Sequence, residues 1–422
     1  MLVYVLNNQG NPIMPCSSAK ARKLLKNGKA KIVKRDIFTI QLIYGSSGYK
    51  QEISLGVDTG SKTVGLSATT IEKELFAGEY QLRNDISDLL SDRRMYRSAR
   101  RNRKTRYRKA RFSNRVRTKN KGWLAPSVEH KIQSHINIIE KIHKILPISK
   151  IIVEVANFDI QRMNNPDIKG KGYQQGEAYG FENIKAYVLF RDDYTCQHCK
   201  GKTKDSKLHV HHIVFRSQNG SNTQDNLITL CKTCHDKLHK SEIELNKKGV
   251  KKAQKDSTFM NTMKNTLIAR LQKGYKNLEV TYGYITKQNR YENNIDKTHR
   301  LDALTISGNF KANPLDYVYY MKKVRCQNRQ IHKAKILKGG IRKLNQANYE
   351  IFRFRLFDKV KYGNKEYFIF GRRSSGYFDI RNLEGDKVNK GSISYKNLKL
   401  IQTRKNILIE RREGNSSAKL KT

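Results

Sequence analysis

The chain has 422 residues, enough for about two to four domains with their own cores. Its 85 Lys and Arg residues outnumber 37 acidic residues and give a formal net charge of +48. A folded body this basic requires a polyanion as counterion, so nucleic acid is the first expected partner and an anionic membrane the second. No apolar run approaches the roughly 20 residues of a spanning helix, and the apolar residues 1–6 are too few for a signal peptide.

Residues 1–51 are predicted to form a small basic module in which strand-like runs flank a short helix. Ser17 or Ser18 can cap that helix. The following segment, residues 52–87, is predicted to form a strand, a tight turn and a second strand. Asp58 lies at the end of the first of these strands, beside a turn that contains glycine.

Residues 88–121 are predicted to form an Arg-rich helix. Fifteen of the 29 positions in 93–121 are Lys or Arg, and none is acidic, Pro or Gly. Repulsion between these charges would open an isolated helix unless phosphates surround it, so a disordered basic tail is the alternative. Interleaved Tyr96, Tyr107 and Phe112 favour order. The predicted nucleic-acid contacts in this segment are Arg93, Arg94, Arg97, Arg100, Arg101, Arg103, Arg106, Arg108 and Arg111.

Residues 122–183 continue with a core helix and a buried strand. Isoleucines at helical spacing predict the helix over residues 128–146. An apolar run over residues 150–155 predicts the strand and contains Glu154 near its end. The polar, Gly-rich residues 160–180 are predicted to form a loop.

Four of the six cysteines are arranged as two Cys-x-x-Cys pairs. Thiolates at this spacing are typical of a tetrahedral structural zinc site. Cys16 and Cys326 are isolated, so the cysteine usage indicates one zinc ion in a reducing cytoplasm, with disulfides as the alternative. The predicted zinc ligands are Cys196, Cys199, Cys231 and Cys234.

The histidines within residues 184–245 fit a nuclease centre that holds one magnesium ion. Strands predicted over residues 208–215 and 226–230 and a helix over 235–240 form a ββα unit. A neutral imidazole can take a proton from water near pH 7, and a divalent ion can polarise a phosphate. The predicted roles are His212 as the base, His211 and His235 as metal ligands, and Asn226 as the residue that holds the loop and orients the base.

Two points in this unit remain open from the sequence. An ideal strand points neighbouring side chains to opposite faces, so we expect a local bend at the tandem His211 and His212. His239 lies one turn after His235 and is either a further ligand or an ordinary surface histidine. For the whole set, the alternative is a zinc knuckle without catalytic activity.

A second, discontinuous site is predicted from acidic residues far apart in the chain. Asp58 and Glu154 lie near strand ends, whereas His299 and Asp302 share one face of a helix predicted over residues 299–306. Three acids around two magnesium ions can hydrolyse a phosphodiester, with His299 activating the water. Taken singly, each acid is more often a cap or an ion-pair partner.

The remaining segments are residues 246–315 and a β-rich C-terminal domain, residues 316–422. The former is predicted to contain a helix over 259–272 and a strand over 278–285. Arg372 and Arg373, beside a Gly-containing turn, can read guanine by bidentate pairing, with nonspecific phosphate contact as the alternative.

Taken together, these motifs resemble a known family. Gly-Val-Asp-Thr-Gly-Ser-Lys at residues 56–62, Val-Glu-Val-Ala-Asn-Phe-Asp at 153–159 and His-Arg-Leu-Asp-Ala at 299–303 resemble the three split pieces of a RuvC nuclease. Their order, with the Arg-rich helix and an HNH insertion between them, resembles the transposon-encoded IscB nucleases, relatives of CRISPR type II effectors. Pro-Ile-Met-Pro at residues 12–15 resembles that family's N-terminal Pro-Leu-Met-Pro motif, and Thr59 replaces a frequent proline.

The resemblance implies a multidomain α/β fold. Its parts are an RNase H-like mixed sheet, an inserted zinc-stapled ββα HNH domain, an Arg-rich bridge helix and a β-rich domain that contacts a target-adjacent motif. It further implies a monomeric protein that carries a structured guide (omega) RNA in the nucleoid-associated cytoplasm of a prokaryote.

The resemblance also implies cleavage of both strands of matched DNA. The HNH site, with one Mg²⁺, would cut the RNA-paired strand, and the RuvC site, with two, the displaced strand. A guide-free nuclease acting on branched DNA and a non-catalytic accessory protein of a mobile element are the alternatives.

Overall fold

The computed structural model describes residues 1–46, 48–101, 122–176, 178–218, 220–250, 254–325, 334–336, 339, 341–344, 348–403 and 406–414. The chain divides into two compact units. The larger comprises Met1–Asn157 and Met260–Thr422, and the smaller is Phe158–Phe259. The segment predicted as one domain over residues 184–245 lies within the smaller unit. No helix in the described ranges combines the length and apolar character needed to span a membrane.

The secondary structure alternates helices with short strands. The helices are α1 (Ser18–Lys26), α2 (Ile86–Arg101), α3 (Pro126–His143), α4 (Ile160–Asn164), α5 (Ile184–Arg191), α6 (Lys232–His239), α7 (Lys255–Gly274), α8 (Gly283–Glu292) and α9 (His299–Ile306). The strands are β1 (Leu2–Leu6), β2 (Pro12–Ser17), β3 (Ala30–Lys34), β4 (Thr39–Leu42), β5 (Ser54–Asp58), β6 (Thr63–Thr69), β7 (Glu74–Gln81), β8 (Lys150–Val155), β9 (Leu208–His212), β10 (Leu227–Cys231), β11 (Leu278–Tyr282), β12 (Tyr317–Lys323), β13 (Ala334–Ile336), β14 (Arg342–Leu344), β15 (Glu350–Ile351), β16 (Phe354–Arg355), β17 (Lys359–Tyr362), β18 (Lys365–Arg372), β19 (Tyr377–Arg381), β20 (Ile393–Ser394), β21 (Lys399–Gln402) and β22 (Ile407–Glu413).

The N-terminal module is a four-stranded sheet in the order β2-β1-β4-β3, with α1 against it. Ser17 begins the helix because its hydroxyl accepts a hydrogen bond from Lys20 N at 3.3 Å. Val3, Val5 and Ile40 form its buried core. The predicted separate basic module thus has its own sheet and core.

The larger unit is built on a seven-stranded mixed sheet in the order β11-β8-β5-β6-β7-β12-β22. Strands β5, β6 and β7 form an antiparallel meander, and β8 and β11 run parallel to β5. Buried Ile132, Ile139 and Ile142 supply the apolar face of α3, as the isoleucine spacing predicts.

Three elements of this unit differ from the sequence-based expectation. Strand β7 lies in a segment without a predicted strand. The strand predicted over 278–285 ends at Tyr282, and α8 begins at Gly283. The domain boundary predicted at residue 316 also differs, because β12 pairs with β7 and β22 pairs with β12. Part of the C-terminal segment thus completes the large sheet.

The rest of the C-terminal segment contains an antiparallel five-stranded sheet in the order β20-β19-β18-β17-β21. Its core is formed by fully buried Val360, Ile369, Phe378 and Ile380. This arrangement agrees with the β-rich character predicted for this part of the chain.

The smaller unit contains the β9–β10 hairpin followed by α6. The register pairs His212 with Leu227 and Leu208 with Cys231 without a bulge. Asp192, at the end of α5, accepts a hydrogen bond from Thr229 N at 2.8 Å and so joins α5 to the hairpin. The predicted ββα order is present, although Asn226 lies in a 3₁₀ turn just before β10.

Candidate metal centres

The first centre, here called the acid centre, consists of Asp58, Glu154, His299 and Asp302. Strands β5 and β8 are parallel neighbours whose register places Asp58 directly beside Glu154. His299 is the first residue of α9, and its Nδ1 lies 2.7 Å from Asp58 Oδ2. Residues 241 positions apart in the chain are therefore in direct contact.

Two glycines permit this contact. A Cβ atom on Gly65 would lie 1.9 Å from His299 O, and one on Gly56 would lie 2.0 Å from Ala303 O. Helix α9 can therefore lie directly on the backbone of β5 and β6, which brings His299 to Asp58. These glycines are the sequence signal for the close approach, because any other residue would force the helix away from the sheet.

The acid centre concentrates negative charge in a half-buried space. Burial, together with the nearby carboxylates of Asp58 and Asp302, raises the pKa of Glu154 to about 7. Burial and the Asp58 carboxylate also raise the pKa of Asp302. The hydrogen bond to Asp58 raises the pKa of His299. Carboxylates that crowd one another in this way fit a site that binds cations.

A buried ion pair, which the sequence reasoning missed, fixes α9 in place. Arg300 Nη2 donates to Glu74 Oε2 at 2.8 Å and to Leu315 O at 2.6 Å. The Ser67 hydroxyl donates to the other Glu74 oxygen at 2.7 Å, and the Glu74 side chain is fully buried. Because Arg300 directly follows His299, the pair holds the start of the helix over the sheet. In the sequence, the only indication of this ion pair is that Arg300 lies between the candidate site residues His299 and Asp302.

The second centre lies in the smaller unit and contains the four predicted zinc ligands, Cys196, Cys199, Cys231 and Cys234. Their sulfur atoms all lie within 4.8 Å of one another, and Cys199 Sγ is 3.9 Å from Cys231 Sγ. Tetrahedral zinc with Zn–S bonds of about 2.3 Å places its sulfurs about 3.8 Å apart, so the donors fit this ion. The Thr203 hydroxyl lowers the pKa of Cys199 to about 6. The described cysteines are all free thiols, which removes the disulfide alternative for these four.

Three histidines form a separate group in the same unit, here called the histidine centre: His211, His235 and His239. One ring nitrogen of each lies within 4.8 Å of those of the other two, and His211 Nε2 is 3.2 Å from His239 Nε2. Burial lowers the pKa of His211, which favours the neutral form that binds metals. The predicted ligands His211 and His235 are thus together, and His239 joins them as a third.

The structure gives His212 a different environment from His211. His211 Nδ1 lies 2.8 Å from His212 O, whereas His212 Nε2 lies 2.9 Å from Asn222 Oδ1. The regular pairing of β9 shows no bend here, so the expected bend is wrong. The pleat itself separates the two side chains, which leaves His211 to the metal group and His212 beside Asn222.

The two roles predicted for Asn226, holding the loop and orienting the base, belong to two different asparagines. Asn226 is fully buried and holds the loop, because its Oδ1 accepts from Val214 N at 2.7 Å and its Nδ2 donates to Ser221 O at 2.7 Å. Asn222, not Asn226, contacts His212. Asn222 was missed because a loop asparagine has no signal of its own in the sequence.

Among the described residues, the tight groups of metal-binding side chains are the cysteines and the histidine centre. The acids of the acid centre do not form a group this compact. Within the acid centre, Asp302 Oδ1 is instead paired with Arg290 Nε at 3.1 Å.

The predicted nucleic-acid contacts are only partly described. Arg93, Arg94 and Arg97 are exposed on α2, and Arg100 and Arg101 belong to its last turn. Arg372 donates to Tyr349 O, and Arg373 donates to Ser392 Oγ at 2.8 Å. The remaining predicted contacts, Arg103, Arg106, Arg108 and Arg111, lie outside the described residues.

Comparisons with known families agree with this geometry. Residues 196–241 match the HNH endonuclease family, and residues 3–176 match the family described as RRXRR protein. The class defined here is thus a mixed α/β protein with an HNH endonuclease domain. The segment that matches the HNH endonuclease family contains both the cysteine site and the histidine centre.

Two curated proteins are similar over short segments. The type IV methyl-directed restriction enzyme EcoKMcrA of Escherichia coli strain K12 is 35% identical over 66 residues, covering 14% of this chain and 24% of the enzyme. Anaredoxin of Nostoc sp. strain PCC 7120 is 32% identical over 71 residues, covering 17% of this chain and 91% of anaredoxin. The chain thus spans about a quarter of the restriction enzyme's length.

Solved structures of Cas9 show a weak likeness. Streptococcus thermophilus Cas9 in complex with the AGGA PAM has a TM-score of 0.35 at 11% identity, covering 70% of this chain and 57% of that chain. The same protein with the GGAA PAM gives 0.32 at 15% identity, covering 51% and 30%. Type II-C Cas9 from Actinomyces naeslundii gives 0.25 at 12% identity, covering 61% and 59%. Scores this low do not establish a shared fold.

Proposed function

We propose that this protein is an RNA-guided DNA endonuclease of the IscB kind, with a separate cleavage site for each DNA strand. The observation that carries the proposal is the contact between His299 and Asp58 beside Glu154, in a chain that also holds an HNH centre.

The sheet supports an RNase H-like reading of the acid centre. Its central order β7-β6-β5-β8-β11 combines an antiparallel meander with two parallel strands, and Asp58 lies at the end of the middle strand. Asp58, Glu154 and Asp302 would hold two magnesium ions, which when bound polarise the phosphate and stabilise the departing oxygen. With His299 Nδ1–H donating to Asp58, Nε2 is left to accept a proton from water.

The histidine centre supports cleavage in the smaller unit. His211, His235 and His239 would hold one divalent ion, and three imidazole nitrogens suit a transition metal better than the magnesium predicted from the sequence, which prefers oxygen ligands. Asn222 Oδ1 accepts from Arg216 Nη2 at 2.9 Å and lies 2.9 Å from His212 Nε2, and Arg216 Nε lies 3.3 Å from the same His212 nitrogen. We assign the Nε2 proton of His212 to the shorter contact, with Asn222, which leaves Nδ1 to take the proton from the attacking water. Asn222 thus orients the base, and Asn226 holds the loop that carries it.

The guide RNA is inferred from charge and from the resemblance to IscB nucleases. The net charge of +48 can neutralise a large RNA, and exposed arginines begin the basic segment on α2. Base pairing by a guide would read the target sequence while the protein contacts the backbone and a short flanking motif. We assign this flanking contact to the C-terminal sheet. We assign the cut of the RNA-paired strand to the histidine centre.

A plasmid assay tests the proposal. RNA that co-purifies with the protein is sequenced, and plasmids with a matched or a scrambled target are incubated with the complex and Mg²⁺. We expect linear product from the matched plasmid only, and none after RNase treatment of the complex. Equal cutting of both plasmids would identify a guide-free nuclease. Binding without nicks would identify a non-catalytic accessory protein.

A further inference from the structure

A hairpin tip in the C-terminal segment has an unusual backbone. Strands β15 and β16 are joined by the two-residue turn Phe352-Arg353, and both residues have positive φ, 47° and 69°. Turns of this kind normally carry Asn-Gly, because a side chain with a Cβ is crowded in the left-handed region. A Phe and an Arg in both positions are strained, and such strain is concentrated at binding sites.

The strained Phe352 forms a stacked pair, here called the aromatic platform, with Tyr395. The two rings are nearly parallel, at 6°, with centroids 4.1 Å apart. A Cβ on Gly376 would lie 2.9 Å from both rings. The two rings therefore lie directly against the backbone of Gly376, where there is no room for a side chain. Tyr395 N donates to Gly376 O at 2.9 Å and fixes this arrangement. Phe352 is nevertheless 49% exposed, so burial alone does not account for a strained Phe here.

Positive charge borders the aromatic platform. Arg353 is exposed beside Phe352, and exposed Arg373 is held by Ser392 Oγ near Tyr395. Lys396, also exposed, follows Tyr395. The nearest acid along the hairpin, Glu350, is paired with Arg355 at 2.8 Å. Aromatic rings bordered by cations are the combination that binds single-stranded nucleic acid, because bases stack on the rings and phosphates pair with the charges.

We propose that the aromatic platform stacks an unpaired nucleobase of a single nucleic-acid strand, while Arg353 and its basic neighbours contact the adjacent phosphates. This inference rests on the nucleic-acid-binding part of the proposed function and on neither cleavage centre. Stacking is available to every base, so the site selects for an unpaired base and not for a particular sequence. A duplex keeps its bases stacked on one another and does not fit.

Photocrosslinking to the full chain tests this assignment. Oligonucleotides of about ten nucleotides carry one 5-iodouridine in RNA or one 5-iodo-2′-deoxyuridine in DNA, and a third arm uses the same DNA as a duplex. After irradiation, crosslinked peptides are mapped by mass spectrometry. We expect crosslinks on Phe352 or Tyr395 with single strands, and a yield about tenfold lower with the duplex. Crosslinks with the RNA oligonucleotide, the DNA oligonucleotide or both support the site and show which nucleic acid it binds.

Three variants distinguish stacking from a structural role. Phe352→Asn suits the left-handed turn and should keep the thermal midpoint while lowering the crosslink yield at Tyr395 about tenfold. Phe352→Tyr should retain the yield. Tyr49→Asn, at a residue 83% exposed in another part of the chain, serves as the matched control and should change nothing.

The result that overturns the inference is a wild-type protein with no crosslink at either ring, or with equal yields from duplex and single strands. Unchanged yield in Phe352→Asn overturns it as well. If matched plasmid is cut while these crosslinks are absent, only the platform assignment fails. If the crosslinks are present and no plasmid is cut, the proposed nuclease function fails and the platform assignment stands.

Discussion

The acid centre and the HNH domain are built over very different distances along the chain. Asp58 and His299 are 241 positions apart and meet because β5 belongs to the large sheet and α9 packs directly on the backbone of β5 and β6. The cysteine site and the histidine centre lie between Cys196 and His239, on one hairpin and the residues around it. One centre therefore depends on the whole larger unit, whereas the other depends on a local fold and its metal.

This difference predicts which changes to the protein should disable each centre. Damage to distant packing should disable the acid centre and leave the HNH domain intact, because the two lie in separate compact units. Loss of the structural metal should do the reverse.

Cys231→Ser should unfold the HNH domain without unfolding the larger unit. Cys231 is buried, and its sulfur accepts a hydrogen bond from Cys234 N, so it serves both the zinc site and the start of α6. Structural zinc contributes on the order of 10 kcal/mol. We expect zinc content to fall from one ion per chain and hydrogen exchange to rise in residues 196–239 but not in 54–81. Cys16→Ser is the control, and unchanged exchange in the variant would refute the zinc assignment.

Substituting one base or ligand in each centre should separate the two strand cuts. We expect His212→Ala to leave only nicking of the displaced strand, and Asp58→Ala to leave only nicking of the RNA-paired strand. The cut that depends on His212 should slow by about 10²–10⁴-fold, as expected for removal of a catalytic base, and loss of the metal ligand Asp58 should slow the other cut on the same order. Plasmids labelled on one strand at a time provide the measurement. Double-strand cutting by both single variants would contradict the two-centre assignment.

How much the sequence could predict follows from the same contrast. The cysteine ligands, His211 and His235 were predictable because zinc and ββα geometry fix their spacing locally. His239 stayed open because spacing on a helix cannot distinguish a ligand from a surface residue. The predicted bend at His211 was wrong, since the pleat itself sends tandem residues to different partners.

For the acid centre, strand ends and helical spacing supported each residue only weakly, and the resemblance grouped the four residues into one site. No local pattern states that β5 and β8 are parallel neighbours, or that α9 lies on Gly56 and Gly65. The ion pair between Glu74 and Arg300 could not be predicted for the same reason. These residues are 226 positions apart in the chain and meet only in the completed sheet.

Glu74→Gln should weaken the larger unit and the acid centre together. The change leaves the Arg300 charge buried without a counter-ion, which costs about 3–5 kcal/mol. We expect a lower unfolding midpoint in urea and slower cutting of the displaced strand. Glu129→Gln is the matched control, because it breaks an exposed Arg–Glu pair worth about 0–1 kcal/mol. Equal effects of the two substitutions would show that the buried pair does not hold α9.

Glu154 should make the larger unit sensitive to pH when magnesium is absent. Its pKa in the folded protein is raised from 4.5 to about 7, so folding favours the protonated carboxyl. This stabilisation is fully present below pH 4.5 and is lost as the pH rises to about 7. Glu154→Gln does not titrate, so its unfolding free energy relative to wild type should rise by about 3 kcal/mol across this window. A constant difference from pH 4 to 8, measured in urea without magnesium, would contradict the crowding of carboxylates.

Asn222→Ala should have the smallest effect. It tests whether residues close to the histidine centre in sequence also control its activity. The substitution removes the hydrogen bond to His212 together with those from Arg216 to the same oxygen, and it leaves the metal ligands and the loop bonds of Asn226 in place. The bond to His212 contributes about 0.5–1.5 kcal/mol, so cutting of the RNA-paired strand should slow about 2- to 10-fold under single-turnover conditions. Ser221→Ala, next to it, keeps the backbone carbonyl that Asn226 uses and should cut at the normal rate. An equal loss on both strands would mean that Asn222 supports the complex as a whole, because a residue that only orients His212 can affect one strand alone.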